Sequence, residues 1–102
     1  MRSDQFRVVI RPQADAEIAE AALWYESQEP GLGQEFLRSF RSASVMLQRN
    51  PYLYQEVAKE TRRVLMRRFP YSIFYEVRDQ DIIILACFHT GRNPQKWQER
   101  VE

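Results

Sequence analysis

The 102-residue chain has one cysteine, one histidine, three glycines and no long hydrophobic run, and these scarcities close off several classes of protein. A single thiol, Cys87, excludes an internal disulfide and a multi-cysteine metal site, and it fits a reducing compartment. No apolar stretch approaches the ~20 residues that a membrane-spanning helix requires. The N-terminal MRSDQFRVVIRP lacks the apolar core of a secretion signal. The expectation is a cytoplasmic protein that does not engage a membrane. The chain also has no P-loop, GxGxxG, GxSxG or HExxH and no clustered Cys/His set. Nucleotide, zinc and serine-nucleophile chemistries therefore lack their usual residues, and neither cofactor nor metal is expected.

What is present is a folded chain, 44% hydrophobic and 13% aromatic. Its length suits a single domain over residues 1–102, with one core. Net charge is only +1, yet it is unevenly spread. Residues 1–60 hold 7 Lys/Arg against 9 Asp/Glu, and residues 61–102 hold 8 against 5. Thirteen of the 15 basic residues are arginine, whose planar fork suits bidentate contacts to carboxylate or phosphate. A solvated, arginine-rich surface is the plainer reading of the same numbers.

Phe6–Arg11 alternates apolar and polar residues as a strand does. Pro12 then suits the first turn of a helix, and Asp15, Glu17 and Glu20 favour its positive end. Ala14, Ile18, Ala21 and Tyr25 fall on one helical face, which Leu23 and Trp24 widen. The helix is expected to end near Gln28, before Pro30. Glu29-Pro30-Gly31-Leu32-Gly33 is the right length to turn a second helix back on the first. Leu32, Phe36, Phe40, Ala43 and Leu47 form the stripe of that helix, which Asn50-Pro51 ends.

Residues 52–60 read as a polar and aromatic loop, and Arg62–Arg68 as a strand. Tyr71–Val77 and Ile82–Phe88 are rich in β-branched and aromatic residues. Arg78-Asp79-Gln80-Asp81 between them predicts an antiparallel hairpin. Pro70 belongs at a strand junction because it cannot donate to a ladder. The order β-α-α-β-β-β, with a short helix from Asn93 onward as an option, predicts an α+β fold. In it an antiparallel sheet is covered on one face by a helical hairpin. Simple alternation puts Ile82, Ile84, Ala86 and Phe88 on one face of the last strand, and Ile83, Leu85, Cys87 and His89 on the other. Both faces are apolar, while two helices cover only one. The second face is then expected to await another chain.

Phe69-Pro70-Tyr71, followed by Ile73, Tyr75 and Val77, an apolar strand, and His89-x-x-Arg92-Asn93-Pro94-x-x-Trp97, resembles the RelE/ParE superfamily of bacterial toxins. The ParE branch of plasmid-stabilisation toxins is the nearer match. With the helical hairpin included, the resemblance spans nearly the whole chain. It implies a growth-inhibiting toxin of a type II toxin–antitoxin module, whose exposed groove receives the C-terminal segment of a cognate antitoxin.

Two mechanisms follow from the resemblance. ParE-like members bind and poison DNA gyrase without cutting anything themselves. RelE-like members cut messenger RNA on the ribosome, with basic residues moving protons and offsetting charge. Their pattern calls for lysines before the second strand, an arginine early in the third and a tyrosine near the C-terminus. Here those regions offer Lys59 alone, then Tyr71 or Ser72, and Trp97. The gyrase-directed reading leads, and the endoribonuclease is the alternative, with His89, Arg68 and Arg92 as its catalytic residues. An inactive member that binds only its antitoxin is a third reading.

The candidate antitoxin- or target-binding residues are Arg67, Arg68, Ile83, Leu85, His89, Arg92 and Trp97. His89 reads either as a general acid or base at the sheet rim or as a strand-end side chain with local hydrogen bonds. The absence of a neighbouring nucleophile or metal ligand favours the second. Arg67, Arg68 and Arg92 are expected to converge at one end of the sheet. There they would anchor acidic residues of a partner or stabilise a phosphoryl transition state. Trp97, Tyr71 and Tyr75 have rings able to stack on RNA bases, although Tyr75 alternates with Ile73 and Val77 as a core residue does.

Overall fold

The computed structural model describes residues 5–91 and 99–100. Its elements run β1 (Arg7–Ile10), α1 (Pro12–Gln28), α2 (Leu32–Arg49), β2 (Glu56–Ala58), β3 (Thr61–Leu65), β4 (Tyr71–Arg78) and β5 (Asp81–His89). The two helices pack on one face of a five-stranded sheet ordered β1-β5-β4-β3-β2. This is the α+β architecture expected, with two additions. The three residues of β2 pair with β3 where a loop was expected. The sheet is also mixed rather than wholly antiparallel, because β1 lies parallel to β5 with Arg7 opposite Asp81 and Ile10 opposite Ile84. A parallel pair needs a long crossover, and everything from α1 to β4 supplies it. The short helix expected from Asn93 onward lies outside the described residues.

The helical hairpin is fixed by its corner. Gly31 has φ +91°, the left-handed region open to glycine. The Glu26 carboxylate accepts hydrogen bonds from Gly31 N–H (3.0 and 3.1 Å) and Gly33 N–H (3.0 Å), so it satisfies amides that the first turn of α2 leaves unpaired. A Cβ on Gly33 would lie 2.6 Å from the Ala22 carbonyl oxygen. That glycine sets how closely the helices approach. Phe36, Phe40, Ala43 and Leu47 are buried from α2, and Ala14, Ile18, Ala21 and Ala22 from α1. Leu23 and Trp24 do not widen the buried face of α1; both are exposed.

The β4–β5 hairpin turns on only Asp79-Gln80, with Asp79 at φ +56°. Register then changes inside it: Phe74 faces Ala86 but Tyr75 faces Ile84, leaving Leu85 as an extra residue on β5. This bulge reverses the alternation of β5 beyond Leu85. Ile82, Ile84 and Cys87 join the core beneath the helices with Ile73 and Tyr75, and His89 lies opposite Tyr71 of the same core. Ile83, Leu85, Ala86 and Phe88 fall on the other face, with Phe74. The expected grouping therefore holds up to Leu85 and is inverted after it.

The second face is not bare. Phe74 is 1% and Ala86 0% exposed, and the Arg100 guanidinium lies 5.5 Å from the centre of the Phe88 ring. Arg100 also bonds the Leu85 carbonyl (3.1 Å) and the Glu17 carboxylate (2.5 Å). The expectation of a wholly uncovered face is corrected accordingly. Ile83, Leu85 and Phe88 are half-buried, Val9 and Leu65 are exposed, and these apolar side chains carry what remains accessible there among the described residues.

Candidate functional site

The residues expected to act together fall in three places. Ile83 and Leu85 lie on the sheet face turned from the helices, Ile83 paired with Val9 of β1 and Leu85 forming the bulge. Arg67 and Arg68 occupy the connection between β3 and β4, against α2. Ser39 donates its hydroxyl to the Arg67 carbonyl (2.7 Å), and Arg68 pairs with Glu35 at 2.6 Å while its guanidinium lies 5.8 Å from the Phe69 ring centre. His89 ends β5 on the helix side. Arg92 and Trp97 lie outside the described residues, so the expected convergence of Arg67, Arg68 and Arg92 is described only for the first two.

His89 makes the local contacts of a strand-end residue. Its Nδ1 accepts the Gly91 N–H at 2.9 Å, and its ring meets Tyr71 edge-on at 5.2 Å. From Tyr71 a chain of ring contacts runs through Phe36 to Phe69 (5.1 and 5.2 Å) and on to Arg68. Packed aromatic side chains thus separate His89 from Arg68. The Arg68 charge is already met by a carboxylate. Neither arrangement resembles an acid–base pair converging on one reacting atom.

Tyr71 and Tyr75 are both buried, which removes them as stacking platforms for RNA. The Tyr75 hydroxyl donates to the Pro51 carbonyl at 2.6 Å, and burial, opposed by Arg62, raises its pKa far above the ordinary phenol value. Cys87 is equally inert. Burial, helped by the Glu17 carboxylate, pushes its thiol up to about 12, so thiolate is scarce at neutral pH. Among the described residues no cluster of three or more His, Cys, Asp or Glu side chains is placed to hold a metal. No described helix is long and apolar enough to cross a membrane.

One feature escaped the sequence reading altogether. A groove of about 670 Å³ runs between α2 and β3, with Arg67 and Arg68 at one end. Its α2 wall is formed by Arg38, Ser42, Val45, Met46 and Arg49, which recur at helical spacing on the side of α2 turned from the core stripe. Arg38 and Arg49 read as ordinary solvated positions until β3 is set beside them.

Two helices on one face of a mixed five-stranded sheet define an α+β fold, and among the described residues no catalytic set converges. Solved structures agree in architecture. A chromosomal ParDE toxin–antitoxin system from P. aeruginosa matches with TM-score 0.74 at 16% identity, over 84% of this chain and 97% of that one. The archaeal RelE–RelB complex from Pyrococcus horikoshii OT3 matches with TM-score 0.55 at 20% identity, over 87% and 99%. No curated protein sequence matches. The family model for the ParE toxin of the type II toxin–antitoxin system parDE matches residues 8–94, and the chain belongs to that family.

Proposed function

We propose that this protein poisons DNA gyrase in the cytoplasm and is held inactive by a cognate antitoxin. The observation that carries this reading is the ParE family match across residues 8–94. The site geometry supports a binding mode of action. His89 is engaged by Gly91 and Tyr71, Arg68 by Glu35, and both accessible surfaces are suited to protein contact. Antitoxin dependence is inferred from the family and from the structural neighbours, a ParDE system and a RelE–RelB complex.

The test uses purified protein in a gyrase supercoiling assay with a cleavage-complex readout. The expected result is loss of supercoiling with accumulation of cleaved DNA, and no effect at micromolar protein rejects the gyrase target. The RelE-like alternative has the fold of the RelE–RelB neighbour in its favour. It predicts new 5′ ends in translated messages by primer extension, and unchanged transcripts in growth-arrested cells remove it. Normal growth on expression without an antitoxin would point instead to a member that only binds.

A further inference from the structure

We infer, resting on the binding mode of action proposed above, that the outward face of α1 is where this toxin grips its target, a protein surface with basic side chains around an apolar recess. Ala16, Glu20, Leu23, Trp24 and Ser27 recur at i, i+4, i+7, i+8 and i+11, and all five are exposed. They give α1 a second stripe on the side turned from the core. Leu23 is 71% and Trp24 55% exposed. A lone exposed leucine is ordinary. A leucine beside a tryptophan on one helical stripe is the kind of anchor that protein interfaces bury. The indole meets Tyr25 edge-on at 5.1 Å between ring centres, and the Ser27 hydroxyl donates to the Trp24 carbonyl at 2.6 Å. The anchor is thus largely set before a partner arrives.

Charge selects the occupant. Asp15, Glu17, Glu20 and Glu26 lie on α1, which has no lysine or arginine, and Glu29 caps its end. Glu17 meets Arg100, and Glu26 meets the N–H groups of the helical corner. Among the described residues Asp15, Glu20 and Glu29 have no basic side chain within ion-pair distance. The last turn adds the negative end of the helix dipole with no basic residue to offset it. Nucleic acid and an anionic membrane are repelled by such a face, and so is the same face of a second copy. A partner segment drawn to Arg38, Arg49 and Arg67 beside the α2–β3 groove is repelled as well, so the partner of α1 is a different one. What remains is a basic protein surface, and a preformed helix with anchors at this spacing enters a groove or recess of it.

The test compares the parent with two double variants, Leu23→Ser/Trp24→Ser and Glu20→Lys/Glu29→Lys. Each is expressed without antitoxin to read growth, and each purified protein is run in the gyrase supercoiling assay. Both variants are expected to lose growth arrest, to need about tenfold or more protein for half-inhibition of gyrase, and still to bind the antitoxin. Arg7→Ala on β1 should match the parent. Circular dichroism and thermal melts check folding, and if the serine pair unfolds the chain the lysine pair decides, since it removes no apolar group. Undiminished activity in a folded variant overturns the inference and leaves the gyrase reading in place. A parent that arrests growth without affecting gyrase rejects that target alone, and the growth comparison then decides. A parent that does not arrest growth rejects both. Loss of antitoxin binding along with activity would make α1 an antitoxin surface. A self-associating parent whose lysine-pair variant is monomeric by light scattering would make it a contact between copies. Either result overturns the inference.

Discussion

Tyr75 sits near the middle of the sheet with its hydroxyl turned onto the carbonyl of Pro51, the residue that follows the last turn of α2 and its cap. Removing that hydroxyl leaves a buried carbonyl unpaired, at a cost of about 1–3 kcal/mol. Tyr75→Phe should therefore lower the unfolding midpoint by several degrees in a thermal melt, with the fold retained. Gly33→Ala should cost at least as much, about 1–3 kcal/mol of overpacking, since the new methyl would meet the Ala22 carbonyl. Cys87 and Tyr75 also set the response to alkali. Both hold their protons more tightly when folded than when unfolded. Their contribution is thus complete below pH 9 and falls as pH rises, first as the unfolded thiol ionises and then as the unfolded phenol does. Urea titrations from pH 8 to 11 should show falling stability. Cys87→Ala should flatten the early part of that fall.

At the scale of the element, the departure with most effect on the face assignments is a single inserted residue. With Leu85 deleted, the strand would regain strict alternation while Cys87 and His89 stayed toward the helices, because the Tyr75–Ile84 and Phe74–Ala86 pairs would become consecutive. The deletion should therefore preserve a cooperative thermal transition, as should Leu85→Ala, and loss of that transition on deletion would show that the bulge itself is required. No pattern in IIILACF announces the bulge, because every residue there is apolar and alternation carries no contrast. The α2 stripe was legible for the opposite reason: Phe36, Phe40, Ala43 and Leu47 stand out against arginine, serine and glutamine. Leu23 and Trp24 misled because an apolar side chain marks a candidate for burial, and only the partner surface decides. β2 is three residues long and owes its form to β3 rather than to its own composition. Of the candidate site, the residue types were legible but not their grouping. The pairing that places Arg67 with α2 and Leu85 on the far face is long-range. Arg7 and Asp81 pair across β1 and β5 at 2.9 Å, yet Arg7 is largely solvated. Arg7→Ala should change stability by less than about 1 kcal/mol.

For the whole molecule, two surfaces on opposite sides of the sheet are available to partners. One is the shallow apolar face around Ile83 and Leu85, and the other is the arginine-rimmed groove. A charge at Leu85 would be desolvated without a counterion under any chain laid on the first face, at a cost of several kcal/mol. Leu85→Asp should weaken antitoxin binding about a hundredfold or more in a calorimetric titration. Unchanged affinity would move the antitoxin off that face. If gyrase is the target proposed above and its contacts are distinct from those of the antitoxin, the same variant should still inhibit gyrase.

The brevity of β1 has one more consequence. It stops at Ile10, so among the described residues no strand neighbours the outer rim of β5 beyond Ile84, and the Glu17 carboxylate takes the Cys87 N–H at 3.0 Å instead. Glu17 and its partner Arg100 together occupy that rim, taking the Cys87 N–H and the Leu85 carbonyl that a stray ribbon would otherwise pair with, which makes the pair a guard against self-association. Stripped of that guard by Glu17→Ala, concentrated samples should form oligomers or precipitate sooner than the parent, as light scattering would register.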